Sequence, residues 1–267
     1  VRELEFVIAK FLGSVVFVSS ALVFAVPLAI SFSFFGKFDW GIFGGQLLAG
    51  VFFSAALASL GIFVSSLFSS QIASLLVTVV AGFIILITGT EFVTANFALS
   101  FIPVLERLSP LSHIKSMSRG VVDTRDVWYF ASFVAVFLGL TYLQMMMRKY
   151  GNLKKRYASY QLGIFLFTGV VVLTNIIGER IPGRIDFTQG RIYTLSQATH
   201  DLLKNLPDSV TITLYASNRL PPQYAPIVRE SKDILKDFKN VSRDKLTLLI
   251  KDPSVKKEDV TEAVSKG

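Results

Sequence analysis

The chain contains no cysteine, which excludes disulfide frameworks, thiolate metal sites and cysteine nucleophiles. Histidine occurs only at positions 113 and 200. Neither has a ligand-spaced neighbour, so both are expected as solvated side chains rather than metal ligands. Gly36-Lys37 is the only Gly-Lys pair, and Ser31 stands where the first glycine of a phosphate-cradling loop belongs. No G-x-S-x-G elbow, zinc-protease helix or paired-carboxylate helix is present either. No catalytic, cofactor-binding or metal-binding residue is therefore assigned. The most informative scarcity is of charge: long stretches hold no Asp, Glu, Lys or Arg at all.

What fills those stretches is apolar. Of 267 residues 52% are hydrophobic and 24 are Phe, concentrated before position 187, beyond which the chain reads as ordinary soluble sequence. Uncharged runs long enough to span a bilayer occupy 11–36, 40–90, 127–147 and 157–178. The second is long enough for two crossings. It divides into about 41–66 and 72–90 at the serine-rich stretch 65–71, which predicts five helices. Pro27 is expected to kink the first of them. Trp128 and Tyr129 stand where an interfacial aromatic belt lies. Gly41 and Gly45, like Ala55 and Ser59, are four apart, a spacing that permits close packing; ordinary packing within one subunit is expected rather than a dimer seam. No ionisable residue falls inside a predicted span, which argues against proton-coupled transport. Segment 92–105 is apolar but too short to cross and is broken by Pro103. The polar residues that follow (Glu106, Arg107, His113, Lys115, Arg119, Asp123, Arg125 and Asp126) predict a mixed loop.

Net charge is +8, and its placement matters more than its size. Residues 1–147 balance, whereas Arg148, Lys149, Lys154, Lys155 and Arg156 form an unopposed cluster. Beside a hydrophobic segment such a cluster is a cytoplasmic orientation signal rather than a nucleic-acid face. Counting crossings from it puts the N-terminus inside, 91–126 outside, and everything after position 178 outside. Val1 followed by a long apolar run is expected of a fragment or processed chain rather than of a signal peptide.

The last third has an α/β rhythm. Ser196 caps a predicted helix to about Asn205, strict alternation over 210–216 predicts a half-buried strand, a second helix carries Ile227, Ile234, Leu235 and Phe238, and 246–250 is a second strand. Strand, helix, strand in that order predicts a parallel pair, with a further helix beginning after Asp252-Pro253. The fold class expected is thus an α-helical multi-pass membrane domain followed by a partial α/β extracytoplasmic domain. Its parts are a membrane domain at 1–147, a basic cytoplasmic linker at 148–160, a fifth transmembrane helix at 161–178 and the outer domain at 179–267.

The stretch VRELEFVIAKFLG at 1–13, the apolar helices after it, Ser112-His113, and then SRGVVD at 118–123 before the last helix resemble the ABC-2-type permease of the gliding-motility transporter family. The stretch RIDFTQGRIYTLSQAT from Arg184 onward resembles the start of that transporter's auxiliary subunit, which has one membrane anchor and an extracytoplasmic α/β domain. Together the two cover nearly the whole chain. Permeases of this kind have six helices, of which only the last four are matched here. The resemblance therefore implies a permease–auxiliary fusion lacking its first two helices and most of its outer domain, whether as part of a natural fusion or as joined pieces.

The resemblance further implies a bacterial inner-membrane protein whose ATP is hydrolysed on a separate ABC ATPase subunit, with a second permease copy completing the pathway and an envelope protein as a candidate outer partner. Residues Arg2, Glu3, Glu5 and Lys10 become candidates for the surface coupled to the ATPase, or else interfacial charges ending a helix. His113, Arg119 and Asp123, with Ser112, are candidate outer-loop functional residues, though shaping that loop is the expected role. The alternative function is a non-transporting scaffold that anchors envelope or motility machinery.

Overall fold

The computed structural model describes residues 3–90, 93, 105, 108–150, 154–178, 183–191, 193–217, 225–242, 245–253 and 257–266. The chain divides into two compact units, Val1–Arg191 and Ile192–Gly267.

The first unit is a bundle of apolar helices. Helix α1 (Glu3–Ser20) tightens into a 3-10 turn at Ala21–Phe24 and resumes as α2 (Ala25–Ser33). Pro27 explains the break, because it offers no N–H to the carbonyl of Val23 and its ring collides with that carbonyl. Helix α3 (Trp40–Leu67) starts at Asp39, whose carboxylate accepts from the amides of Gly41 at 2.8 Å and Ile42 at 3.0 Å. It stops where Phe68 turns extended, and Ser70 caps α4 (Gln71–Ile87). The predicted division near 65–71 is therefore found at 68–70. Helices α5 (Pro110–Met117), α6 (Thr124–Tyr150) and α7 (Lys154–Gly178) complete the unit.

Helix α3 is the axis of the bundle, packing against α1, α4 and α6, and α7 lies against α6. Small residues make this possible: Ala49 and Ala56 are buried with Met117, Val122 and Phe130 in one core. Phe52 of α3 stacks on Phe130 of α6 at 5.7 Å. Asn175 of α7 donates to Ser132 Oγ of α6 at 2.6 Å, a polar tie between helices otherwise held by van der Waals contact. Four stretches are long and apolar enough to cross a bilayer: Glu3–Ser33, Trp40–Leu67, Thr124–Tyr150 and Ala158–Asn175. They mark the unit as membrane-embedded. Helix α4 has 17 residues and at 1.5 Å per residue reaches about 26 Å, just under the roughly 30 Å hydrocarbon layer.

Three expectations change. Residues 110–126 are not an irregular loop: they form α5, strand β1 (Val121–Asp123) and the first turn of α6, because Pro110 is well suited to a first helical turn. Most of the apolar stretch 92–105, with Glu106 and Arg107, lies outside the described residues. The basic linker expected at 148–160 is helical through Tyr150 and again from Lys154, since Lys and Arg are good helix formers and favour a helix C-terminus. The unit boundary falls after Arg191 rather than after 178. Strand β2 (Arg184–Asp186) pairs antiparallel with β1, Val121 opposite Asp186 and Asp123 opposite Arg184, which ties it to the bundle.

In the second unit Ser196 Oγ accepts from the amide of Thr199 at 3.2 Å and caps α8 (Gln197–Lys204). Strands β3 (Val210–Tyr215) and β4 (Leu246–Lys251) are parallel, joined through α9 (Ala225–Val241), and α10 (Lys257–Lys266) follows. The register sets Val210, Ile212 and Leu214 beside Leu246, Leu248 and Ile250, one apolar face as the alternation predicts. Lys251 pairs with Glu262, fixing α10 to β4.

Candidate functional site

Polar chemistry in the bundle is concentrated at its two ends. At the first, α5 and the start of α6 meet. His113 Nδ1 donates to Asp126 Oδ1 at 2.8 Å, and Ser116 donates to the other carboxylate oxygen. A carboxylate only accepts, so the imidazole carries its proton on Nδ1. The His113 ring lies flat on Tyr129, centroids 3.9 Å apart, and the Tyr129 hydroxyl donates to the Leu108 carbonyl at 2.7 Å. Asp126 is buried in the first turn of α6, where the helix N-terminus favours negative charge. The group works as a clamp holding α5 across the end of α6.

Beside the clamp lies a collar of backbone. Gly120, at φ 83°, turns the chain from α5 into β1 through a region open to glycine. The Gly120 carbonyl accepts from the Phe187 amide at 2.9 Å, and the Gly183 carbonyl from the Thr124 amide at 2.8 Å, extending the ladder at both ends. Helix α3 meets this collar through glycine. A methyl on Gly45 would sit 2.6 Å from the Met117 carbonyl oxygen and 2.8 Å from Gly120 Cα, and one on Gly41 would overlap the Phe187 carbonyl. The pair expected to pack helix on helix within one subunit does pack internally, but against the backbone of Met117, Gly120 and Phe187. Asp39 completes the collar, its second oxygen accepting from the Gln189 amide at 2.9 Å. Hydrogen bonds from the amides of Gln189, Ile42 and Gly41 hold its carboxyl below the ordinary aspartate value.

At the other end Lys149 pairs with Glu3, and Arg148 donates to the Ser66 carbonyl at 2.6 Å, capping the last turn of α3. The end of α6 is thereby tied to the start of α1 and the end of α3. Glu5 and Lys10 are exposed along α1. Arg2 lies outside the described residues, and Lys154, Lys155 and Arg156 are described only as backbone of the first turn of α7.

The structure thus joins residues from separate sequence classes: Glu3 with Lys149, and His113 with Asp126. His113 is neither solvated nor on a loop, because stacking on Tyr129 and the bond to Asp126 bury most of it. Asp123 is buried and pairs with Arg125, while Arg119 donates from Nε to the Lys115 carbonyl at 3.2 Å. Among the described residues no three His, Cys, Asp or Glu side chains gather as a metal site. Asp126 and Tyr129 have no local spacing that could have linked them to His113. Asp39 did have a signal: an Asp immediately before an apolar helical run is a capping residue.

A family model described as a domain of unknown function, DUF7088, matches residues 189–267, close to the extent of the second unit. No curated protein and no solved structure matches the chain significantly.

Proposed function

We propose that the chain is the membrane subunit of an ATP-driven ABC-type transporter of the gliding-motility kind, a permease joined to the start of its auxiliary subunit. The observation that supports this best is the β1–β2 ladder. Segment 121–123, within the stretch that resembles the permease, pairs with segment 184–186, which resembles the auxiliary subunit's beginning. Two polypeptides that act together in one machine are the natural source of two such segments in one ladder.

The ladder also supports the expected topology. Strand β1 precedes α6 and β2 follows α7, so a ladder between them requires α6 and α7 to leave and return to the same side. The Glu3–Lys149 pair sets the start of α1 at the opposite end, with the end of α6. Lys and Arg bias then makes that end cytoplasmic, with α4 as a short fifth span and the second unit extracytoplasmic in a bacterial inner membrane. In this reading the ATPase is a separate chain that binds the ATP, and it pushes on the end where Glu3, Lys149, Arg148 and Ser66 meet. Two permease copies rearrange to open a path between them. The apolar character of the spans suits a lipid-linked or bulky cargo.

The test is co-expression with the flanking genes, purification in detergent and an ATPase assay. Recovery of an ATPase whose rate falls when Glu3 and Glu5 are replaced by Ala supports the transporter. Capture of envelope proteins with no ATPase sinks it and leaves the scaffold.

A further inference from the structure

The β1–β2 ladder is short, and its outward residues are not what a water-facing ladder needs. Ile185 is 59% exposed and Phe187 is 47% exposed. They stand two apart in extended backbone and so project the same way. Solvent-facing antiparallel strands place polar side chains at such positions.

What surrounds them identifies the occupant. The backbone of Phe187 lies against Gly41, in the first turn of α3, next to Trp40. The other end of β2 is bonded to Thr124, where α6 begins, four residues before Trp128. Trp40 and Trp128 are both about half exposed, and Phe34 and Phe35 at the end of α2 are almost fully exposed. Phe38 and Trp40 meet edge to face at 5.0 Å. Aromatic side chains gathered at one end of a set of spanning helices mark the level of the lipid headgroups. Strand β2 runs between the starts of α3 and α6 at that level, so its apolar face continues the surface that lipid already covers. The nearby carboxylates do not oppose this. Asp39 is bonded to three backbone amides, and Asp186 accepts from the amide and hydroxyl of Thr188. Arg184 and Arg191 supply positive charge near Ile185 and Phe187 in the sequence, which suits an anionic headgroup layer.

We infer that the β1–β2 ladder is a membrane-surface element, with Ile185 and Phe187 inserted into the headgroup region of the bilayer beside Trp40 and Trp128. The inference rests on membrane embedding and is independent of what the protein transports.

The absence of cysteine makes the test direct. Single variants Ile185→Cys and Phe187→Cys carry an environment-sensitive dye in vesicles of phosphatidylcholine and phosphatidylglycerol. Variants Val79→Cys and Leu166→Cys, exposed at the middles of α4 and α7, and Asp208→Cys, on the turn before β3, are the controls. The expected result is that lipids spin-labelled near the headgroup quench positions 185 and 187 several-fold more than position 208. Lipids labelled deep in the chain quench 79 and 166 instead. Quenching of 185 and 187 by aqueous iodide but not by lipid overturns the inference, and so does protection from both, which means protein covers them. Failure of lipid to quench 79 and 166 overturns the membrane embedding itself, a result distinct from failure at the ladder alone.

Discussion

Helix α3 carries Gly44 and Gly45 side by side, and the structure assigns them opposite consequences on substitution. Gly45→Ala places a methyl 2.8 Å from Gly120 Cα and 2.6 Å from the Met117 carbonyl oxygen. Carbon atoms rest at about 3.5–4.0 Å, so the collar backbone must retreat by at least about 0.7 Å. That backbone is pinned by the Gly120–Phe187 hydrogen bond and by the ladder, so it yields little, and overpacking of this kind costs about 1–3 kcal/mol. Gly44→Ala meets nothing within 4 Å. Both substitutions gain the helix-propensity advantage of Ala, about 0.8–1.0 kcal/mol, which cancels between them. The difference between the variants therefore isolates the close approach: Gly45→Ala is less stable than Gly44→Ala by about 1–3 kcal/mol. Gly44→Ala alone matches or exceeds the wild type. The assay is unfolding in mixed detergent micelles followed by circular dichroism and by tryptophan emission, to which only Trp40 on α3 and Trp128 on α6 contribute. Equal midpoints for the two variants would refute the packing of α3 against the Gly120 turn.

Two further outcomes follow from the polar ends. Asp126→Ala removes the carboxylate that accepts from the buried His113 Nδ1 and from Ser116 in the clamp, and should cost about 1–3 kcal/mol in the same assay; Asp126→Asn, which keeps an acceptor, should cost less, and equal losses would argue against the clamp. The carboxyl of Asp39 is held below its ordinary value, so its stabilisation is full above the unfolded aspartate pKa and is lost as pH falls through the lowered folded value. The gap in unfolding midpoint between wild type and Asp39→Ala should therefore hold at neutral pH and shrink below about pH 4; a gap that widens on acidification contradicts the assignment.

Membrane helices were legible because lipid imposes a simple requirement on sequence: about 20 uncharged apolar residues per crossing. The runs at 11–36, 127–147 and 157–178 met it, and the serines at 65–71 showed where one long run divides. Strand alternation at 210–216 and the capping serine at 196 were legible because period and capping are local properties. Charged residues, however, extend helices past the apolar run, so Arg148, Lys149 and Lys154 to Arg156 read as a linker although they lie within helices. The clamp was illegible for another reason. His113 and Asp126 are thirteen apart, and their meeting depends on the turn that Gly120 makes between α5 and β1.

By itself the sequence determined which segments leave water, where the long apolar helices lie, and the strand order of the second unit. These follow from hydrophobicity, periodicity and capping, all set within a few neighbouring residues. Only the tertiary structure decided that Gly41 and Gly45 receive backbone rather than a helix, that Glu3 meets Lys149, and that segment 121–123 pairs with segment 184–186. Such contacts join residues tens to more than a hundred positions apart, and their existence depends on how helices pack in three dimensions, which no local pattern records.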